Sequence, residues 1–430
     1  MSKGLGLGAG WLKVGGASTS VYCMGAVAGI TVYYLAADWW ISRRRQAAVV
    51  KRSAVETESE KEERGEEYES SGDRYGSLRI CGRFVNPFDS WRDKTLWDFV
   101  RWLATRTAGN GLPSDKSQLE KDLPLARPHL RLLRRLAGEK PDAEPDAEPE
   151  PDAEYADYPA IDDIDGDSTM TATWIGQSTC FVQMEGLSIL TDPIFKRRTV
   201  FSWLGPERLR PVPCQLADLP RPDIVLVSHN HFDHLDVDVV RALGNAVTWY
   251  VPLGLRAWFA RLGVYRVREL DWWQETEYTA RSGRVFRIAA TPTQHWSGRT
   301  GLDSNASLWC SFLVRGKRAS VFHCGDTGYC AAFERIGRLY GSVSLAILPI
   351  GSYAPRWYMQ HQHIDPDDAV RIHRDLRARR SIGVHWGTFM MSDEHYLAPP
   401  RDLAAAAARS GLAGDEFVAP QLGRTVLYAV

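Results

Sequence analysis

Three imidazoles and a carboxylate fall within six residues in Ser228-His229-Asn230-His231-Phe232-Asp233-His234. Donors of these kinds suit zinc, with iron or manganese as alternatives. His229 and His231 are two apart, so a bent loop turns both to one ion, while the adjacent Asp233 and His234 reach a second ion nearby. Such spacing is a specific metal-binding signal when it follows a strand. Ile224-Val225-Leu226-Val227, just ahead, reads as a buried strand. The histidines then occupy the loop at its carboxyl end, where α/β sheets carry their chemistry.

The same pattern recurs downstream. His295 follows a strand over 285–289, Asp326 follows one over 320–323, and His385 follows one over 381–384. All but one of the 11 histidines lie after Ser228. If these strand ends meet at one edge of a sandwich, His229, His231 and His295 hold one ion and Asp233, His234 and His385 the other. Asp326, with two oxygens, bridges them. Two ions about 3.5–4 Å apart hold a shared water and lower its pKa enough to give a hydroxide nucleophile at neutral pH. Such an oxygen attacks an ester carbonyl or a phosphorus with no serine or cysteine nucleophile. Asp192, at the end of the strand 188–191, is a candidate acceptor for the far nitrogen of a ligating imidazole.

Around this centre the chain has room for one large domain plus attachments, at 430 residues and 44% hydrophobic. A net charge of -1 gives no basic field and excludes nucleic acid as an expected partner. The seven cysteines are scattered, with no disulfide framework and no Cys-x-x-Cys knuckle, and read as reduced thiols.

Residues 1–20 read as a leader and 21–41 as a transmembrane anchor, apolar over about a bilayer's thickness, with Trp39 and Trp40 at its end and Arg43, Arg44 and Arg45 beyond. The positive-inside rule then turns the catalytic domain to the cytosol, or to the matrix at a mitochondrial inner membrane. Residues 42–77 read as a charged linker and 78–430 as the catalytic domain. Within it, 139–167 repeats Pro-Asp-Ala-Glu and its charges are nearly all acidic, a composition expected of a disordered insertion. Trp91, Thr95, Asp98 and Trp102 stand at helical spacing, in a helix expected to pack on the domain or touch lipid.

These motifs in this order resemble the metallo-β-lactamase superfamily, whose fold is an α/β, αβ/βα sandwich. From Cys81 onward, less the acidic insertion, the chain is similar to the N-acylphosphatidylethanolamine-hydrolysing phospholipase D family. The stretches that carry the likeness include Gly82-Arg83-Phe84-Val85-Asn86-Pro87, Leu190-Thr191-Asp192-Pro193-Ile194-Phe195 and Glu269-Leu270-Asp271-Trp272-Trp273. Others are Gly325-Asp326-Thr327-Gly328-Tyr329-Cys330, Gln362-His363-Ile364-Asp365-Pro366 and His385-Trp386-Gly387-Thr388-Phe389.

The resemblance implies two Zn2+ per chain, held by His229, His231, Asp233, His234, His295, Asp326 and His385. It also implies cleavage of a membrane phospholipid, N-acylphosphatidylethanolamine, to phosphatidic acid and an N-acylethanolamine, by a homodimer. His363 falls on a substrate-contacting histidine, assigned to hydrogen-bond the phosphate or protonate the leaving oxygen, and Phe232 falls beside the substrate where the family often has tyrosine. Gln177 replaces the usual histidine of its turn. The alternatives are a hydrolase of another phosphodiester or a lactone, iron-dependent oxygen chemistry on the same fold, and an idle membrane-anchored scaffold. No expected ligand is missing, which disfavours the scaffold.

Overall fold

A computed structural model of the chain describes residues 39–50, 75–106, 110–139, 155–156, 158–300 and 302–430. Residues 39–50 form helix α1. The small hairpin β1 (Leu78–Ile80) and β2 (Arg83–Val85) follows, then α2 (Leu96–Thr105), α3 (Lys116–Asp122) and α4 (Leu130–Leu136). The first half of the sandwich is β3 (Thr169–Gly176), β4 (Thr179–Met184), β5 (Leu187–Thr191), β6 (Ile224–Leu226), α5 (Val237–Leu243), β7 (Thr248–Pro252), α6 (Arg256–Arg261) and β8 (Val267–Leu270). The second is β9 (Glu275–Thr279), β10 (Val285–Thr291), β11 (Ser311–Arg315), β12 (Ser320–His323), α7 (Ala332–Tyr340), β13 (Leu345–Pro349), α8 (Arg356–Met359), α9 (Pro366–Asp375), β14 (Arg380–Val384), α10 (Ala398–Arg409) and β15 (Phe417–Val418). The closing strand β16 (Thr425–Ala429) returns to the first sheet.

Two seven-stranded mixed sheets result, ordered β16-β3-β4-β5-β6-β7-β8 and β15-β14-β13-β12-β11-β10-β9. Strand alternation explains the layers. Cys180, Val182 and Met184 of β4 and Ile224 and Leu226 of β6 enter the large cluster shared with Phe286, Ile288, Phe312 and Val314 of the other sheet. Phe181, Val225 and Val227 point the opposite way and pack with Val239, Val240 and Phe259 of α5 and α6. α7 and α9 cover the second sheet through Phe333, Ile336, Val370 and Ile372. This is the expected αβ/βα sandwich. One half of each sheet runs parallel, β5 to β8 and β12 to β15. The carboxyl ends of strands in these runs, together with that of β10, carry the candidate ligands.

Two expectations on domain layout meet a different outcome. Residues 42–50, placed in the charged linker, are helical. Arg45 there is 6% exposed; it donates to the carbonyls of Asn86, Phe88 and Trp91 at 3.3–3.4 Å and meets Asp93 at 3.5 Å. A guanidinium with five donors seats this helix on a segment rich in free carbonyls, a role its basic composition did not reveal. The insertion 139–167 is not disordered to its end. Ile164 and Tyr155 are buried, Tyr158 Oη donates to the Thr425 carbonyl, and Arg135 binds the carbonyls of Ile161, Asp162 and Ile164. A few apolar side chains behind the acidic repeat supply the burial that the repeat lacks; residues 140–154 lie outside the described residues. No helix of the described residues is long and apolar enough to cross a membrane. Residues 21–38 of the expected anchor, like 1–20, lie outside the described residues.

Candidate metal centre

Five loops at the carboxyl ends of β5, β6, β10, β12 and β14 converge on one buried spot. His229, His231, His295 and Asp326 form one group, and Asp233, His234, Asp326 and His385 a second, each with its ligand atoms within 4.8 Å of one another. In the first, His229 Nε2 lies 2.7 Å from His231 Nδ1, His295 Nε2 lies 3.4 Å from that same nitrogen, and Asp326 Oδ2 is 3.7 Å from His295 Nε2. In the second, His234 Nε2 lies 3.3 Å from Asp233 Oδ2 and 3.2 Å from Asp326 Oδ2. His385 Nε2 lies 3.4 Å from Asp233 Oδ2 and 3.2 Å from Asp326 Oδ1. Ligand bonds of about 2.0–2.1 Å in a tetrahedron put donor atoms about 3.3 Å apart. The second group has that spacing already.

Buried polar atoms without partners point the same way. His234 Nε2, His385 Nε2 and Asp326 Oδ1 are sequestered and make no hydrogen bond. Leaving such atoms unpaired is costly, and a cation placed among them removes the cost. The donor set therefore fits divalent metal in both groups.

The surroundings orient these donors. Asp192 Oδ2 accepts from His234 Nδ1 at 2.8 Å, His323 Nε2 at 2.8 Å and Ser228 Oγ at 2.6 Å, and Oδ1 accepts from the Ser228 amide at 2.7 Å. Ser228 Oγ in turn accepts from His229 Nδ1 at 2.9 Å, and His295 Nδ1 donates to the Gln362 carbonyl at 2.9 Å. The bonds made by His234, His229 and His295 occupy Nδ1 and leave Nε2 bare for a metal. Asp192 thus has the place its sequence position suggested. His323, Ser228 and Gln177 were not foreseen as part of this network. Gly325, at φ +63, lets the Asp326 loop cross the histidine loop, because a Cβ there would meet Ser228 Cβ at 2.4 Å.

Charge follows from this packing. Burial, aided by neighbouring imidazoles, holds His229 well below its usual value. Burial also brings His231 down to about 4 and His295 to about 3. These three are neutral, as ligands must be. Burial opposes charge on His234 and His385 too, but the Asp326 and Asp233 carboxylates overcome it. His234 is held well above its ordinary value and His385 is raised to about 9. In the absence of metal, protons on these two rings balance the carboxylates.

The substrate-side residues stand close by. His363 Nδ1 lies 3.9 Å from Asp326 Oδ2 and has no hydrogen-bond partner. Phe232 is half-buried, with the Arg299 guanidinium 4.3 Å from its ring centre and Phe201 at 6.4 Å. Gln177, noted in the sequence only as a departure, donates from Nε2 to Asp233 Oδ2 at 2.8 Å. Gln177→Met, similar in volume but without that donor, is expected to weaken metal binding at the Asp233 group about 10-fold. Competitive titration against a chromophoric chelator checks this; unchanged affinity would assign Gln177 to packing alone.

Two stacked mixed sheets with a His/Asp cluster at the strand ends define a metallo-β-lactamase-type hydrolase, and residues 188–386 match the beta-lactamase superfamily domain. The sequence is 38% identical over 372 residues to the N-acyl-phosphatidylethanolamine-hydrolyzing phospholipase D, mitochondrial, of Saccharomyces cerevisiae, spanning 83% of this chain and 78% of that protein. It is 36% identical over 356 residues to N-acyl-phosphatidylethanolamine-hydrolyzing phospholipase D 1 of Caenorhabditis elegans, spanning 79% and 91%. The chain belongs to the N-acyl-phosphatidylethanolamine-hydrolyzing phospholipase D family. Among solved structures, Igni18, a metallo hydrolase from Ignicoccus hospitalis, is similar with TM-score 0.48 at 22% identity, over 61% of this chain and 100% of that one.

Proposed function

We propose that this metal-dependent phosphodiesterase is a binuclear zinc enzyme that hydrolyses N-acylphosphatidylethanolamine to N-acylethanolamine and phosphatidic acid. The observation that carries the reading is the pair of four-ligand groups sharing Asp326. Imidazole nitrogens and carboxylate oxygens at tetrahedral spacing favour zinc. When bound, the ions supply an activated water and positive charge for the phosphoryl oxygens. The chain's own residues supply the rest. Asp326 ties the two groups to one centre, and Asp233, steered by Gln177, completes the second. Burial, above all, keeps His363 well below its ordinary value. Its neutral N–H therefore suits hydrogen bonding to a phosphoryl oxygen better than service as a strong acid. Phe232 offers an apolar ring, with Arg299 on its face, to the substrate side.

The test is elemental analysis of purified full-length protein together with turnover before and after chelation. Two zinc per chain, with activity lost on chelation and restored by zinc, is expected. A single iron would move the reading to oxygen chemistry.

A membrane location suits a lipid substrate. Leu96, Trp97, Phe99, Val100 and Leu103 of α2 are 42–73% exposed, and no residue of that helix is buried. Trp102 stacks on Tyr358 at 5.3 Å, but the rest of the apolar side chains of this helix are left uncovered by the domain. Each such side chain gains about 1.5–3 kcal/mol on leaving water, so we assign this face to the bilayer interface. Trp97→Asp is expected to reduce sedimentation with phospholipid vesicles several-fold while sparing hydrolysis of detergent-dispersed lipid; unchanged sedimentation would leave attachment to residues 21–41. The yeast relative's name points to mitochondria, which fits the mitochondrial alternative for the anchor. The homodimer implied by the family is also proposed, and light scattering giving a monomer mass would refute it.

A further inference from the structure

Among the described residues, one ammonium beside the site has no carboxylate of its own. Lys94 precedes Thr95, the N-cap of α2, and its Nζ lies 3.7 Å from the centre of the Tyr358 ring. Asp98 is the acid whose field reaches it, but that carboxylate accepts from the Thr95 amide and hydroxyl at 2.9 and 2.7 Å and meets Arg92 at 3.7 Å. Arg356, close by, is engaged by carboxylates, meeting Asp365 at 3.0 Å and Asp368 at 2.7 Å. An aromatic face attracts a cation but gives no lone pair to the three N–H donors of a lysine. Burial, only partly offset by Asp98, brings the ammonium down to about 7. That is the behaviour of a cation kept from water and short of counter-charge.

Position adds the second strand of the argument. Tyr358, which carries the Lys94 contact, lies in α8, and that helix also holds His363: the His363 amide donates to the Met359 carbonyl at 2.9 Å and Arg356 donates to the His363 carbonyl at 2.8 Å. His363 Nδ1 is in turn 3.9 Å from Asp326 Oδ2 in the metal centre. On the other side, the exposed side chains of α2 begin at Leu96 and Trp97, 53% and 73% exposed. With that face in a bilayer, the lysine two residues earlier lies near the level of the headgroup phosphates, where lysines extend their ammonium groups.

We propose that Lys94, set against Tyr358 on the helix that holds His363, forms an anion subsite that receives a phosphate oxygen of a phospholipid headgroup. The proposal rests on the lipid reading above, and part of its test does not need turnover. Reductive methylation of the full-length protein with 13C-formaldehyde gives a dimethyl-lysine resonance for Lys94, assigned by its loss in Lys94→Arg. Dihexanoylphosphatidylethanolamine, added below its micellar concentration, is expected to move that resonance. In kinetics, Lys94→Gln is expected to raise KM about 10-fold with kcat little changed, and Lys94→Arg to restore it. A rise seen with N-acylphosphatidylethanolamine in neutral detergent alone identifies the substrate's own phosphate. A rise seen only when the substrate is diluted in phosphatidylcholine vesicles identifies a neighbouring lipid. A resonance that does not move, or a KM unchanged in both settings, overturns the subsite. If the wild type turns over no lipid, the reaction proposed above fails, and the resonance shift still decides the subsite.

Discussion

Asp326→Asn is expected to lower hydrolysis by about 10³-fold or more while the protein stays folded. Asp326 is 4% exposed and is the only residue common to both ligand groups. Its Oδ1 faces His385 at 3.2 Å, and its Oδ2 faces His234 at 3.2 Å and His295 at 3.7 Å. Asparagine preserves the shape but removes the charge and turns one acceptor into a donor. That donor would point at ring nitrogens that must stay bare for metal. Both groups then lose affinity together, because the shared atom pair is lost from each. The change also removes the carboxylate that, against burial, holds His234 and His385 protonated in the metal-free cluster. The check is kcat/KM with the metal content measured on the same sample. Activity within 10-fold of wild type with both metals retained would show that Asp326 does not bridge.

Asp192→Asn has the second-largest expected effect, and it acts without touching metal. The Asp192 carboxylate accepts four hydrogen bonds, from His234, His323, and the amide and hydroxyl of Ser228. An amide in its place presents a donor to a ring of donors and frees His234 to rotate. Metal affinity is expected to fall about 10- to 100-fold. Stability should change with pH as well. Burial works against the Asp192 charge, but the fields and hydrogen bonds of His323 and His234 win and hold it at about 2. This folded value is below the unfolded one of about 3.9, so the carboxylate stabilises the fold fully above that pH. The contribution, about 2 kcal/mol, is lost as pH falls from 4 towards 2. Denaturant unfolding of metal-free protein across this range should show that slope in wild type and a flatter one in Asp192→Asn. Identical slopes would mean that Asp192 is not the titrating group.

The metal centre was legible because its donors sit at strand ends, and strand ends can be read from short apolar runs. β12 has the ends expected at 320–323, and β14 and β5 end where expected, at 384 and 191. The network behind the ligands was not legible. His323 lies 131 residues from Asp192, and Gln177 lies 56 from Asp233, so no local spacing links them. α7 was missed for a different reason. Gly337 interrupts its helical signal, and the structure explains that glycine, since a Cβ would meet the Asp375 carbonyl oxygen at 1.7 Å. β16 was missed because its burial is only partial and its partner is β3, more than 250 residues earlier. α2 shows the opposite failure. Its periodicity was read, but an apolar stripe does not say whether protein or lipid will cover it. Likewise, Asn86 Nδ2 donates to the His295 carbonyl at 2.8 Å and Ser90 Oγ to Gln294 at 2.5 Å, so the segment bearing α1 also braces a ligand loop.

The most direct test of the central claim is hydrolysis of N-acylphosphatidylethanolamine by the zinc-loaded protein in H2(18)O, with both products analysed by mass spectrometry. Attack of water on phosphorus predicts phosphatidic acid carrying one 18O atom and unlabelled N-acylethanolamine. Unlabelled phosphatidic acid with a labelled alcohol, or release of diacylglycerol, would contradict it.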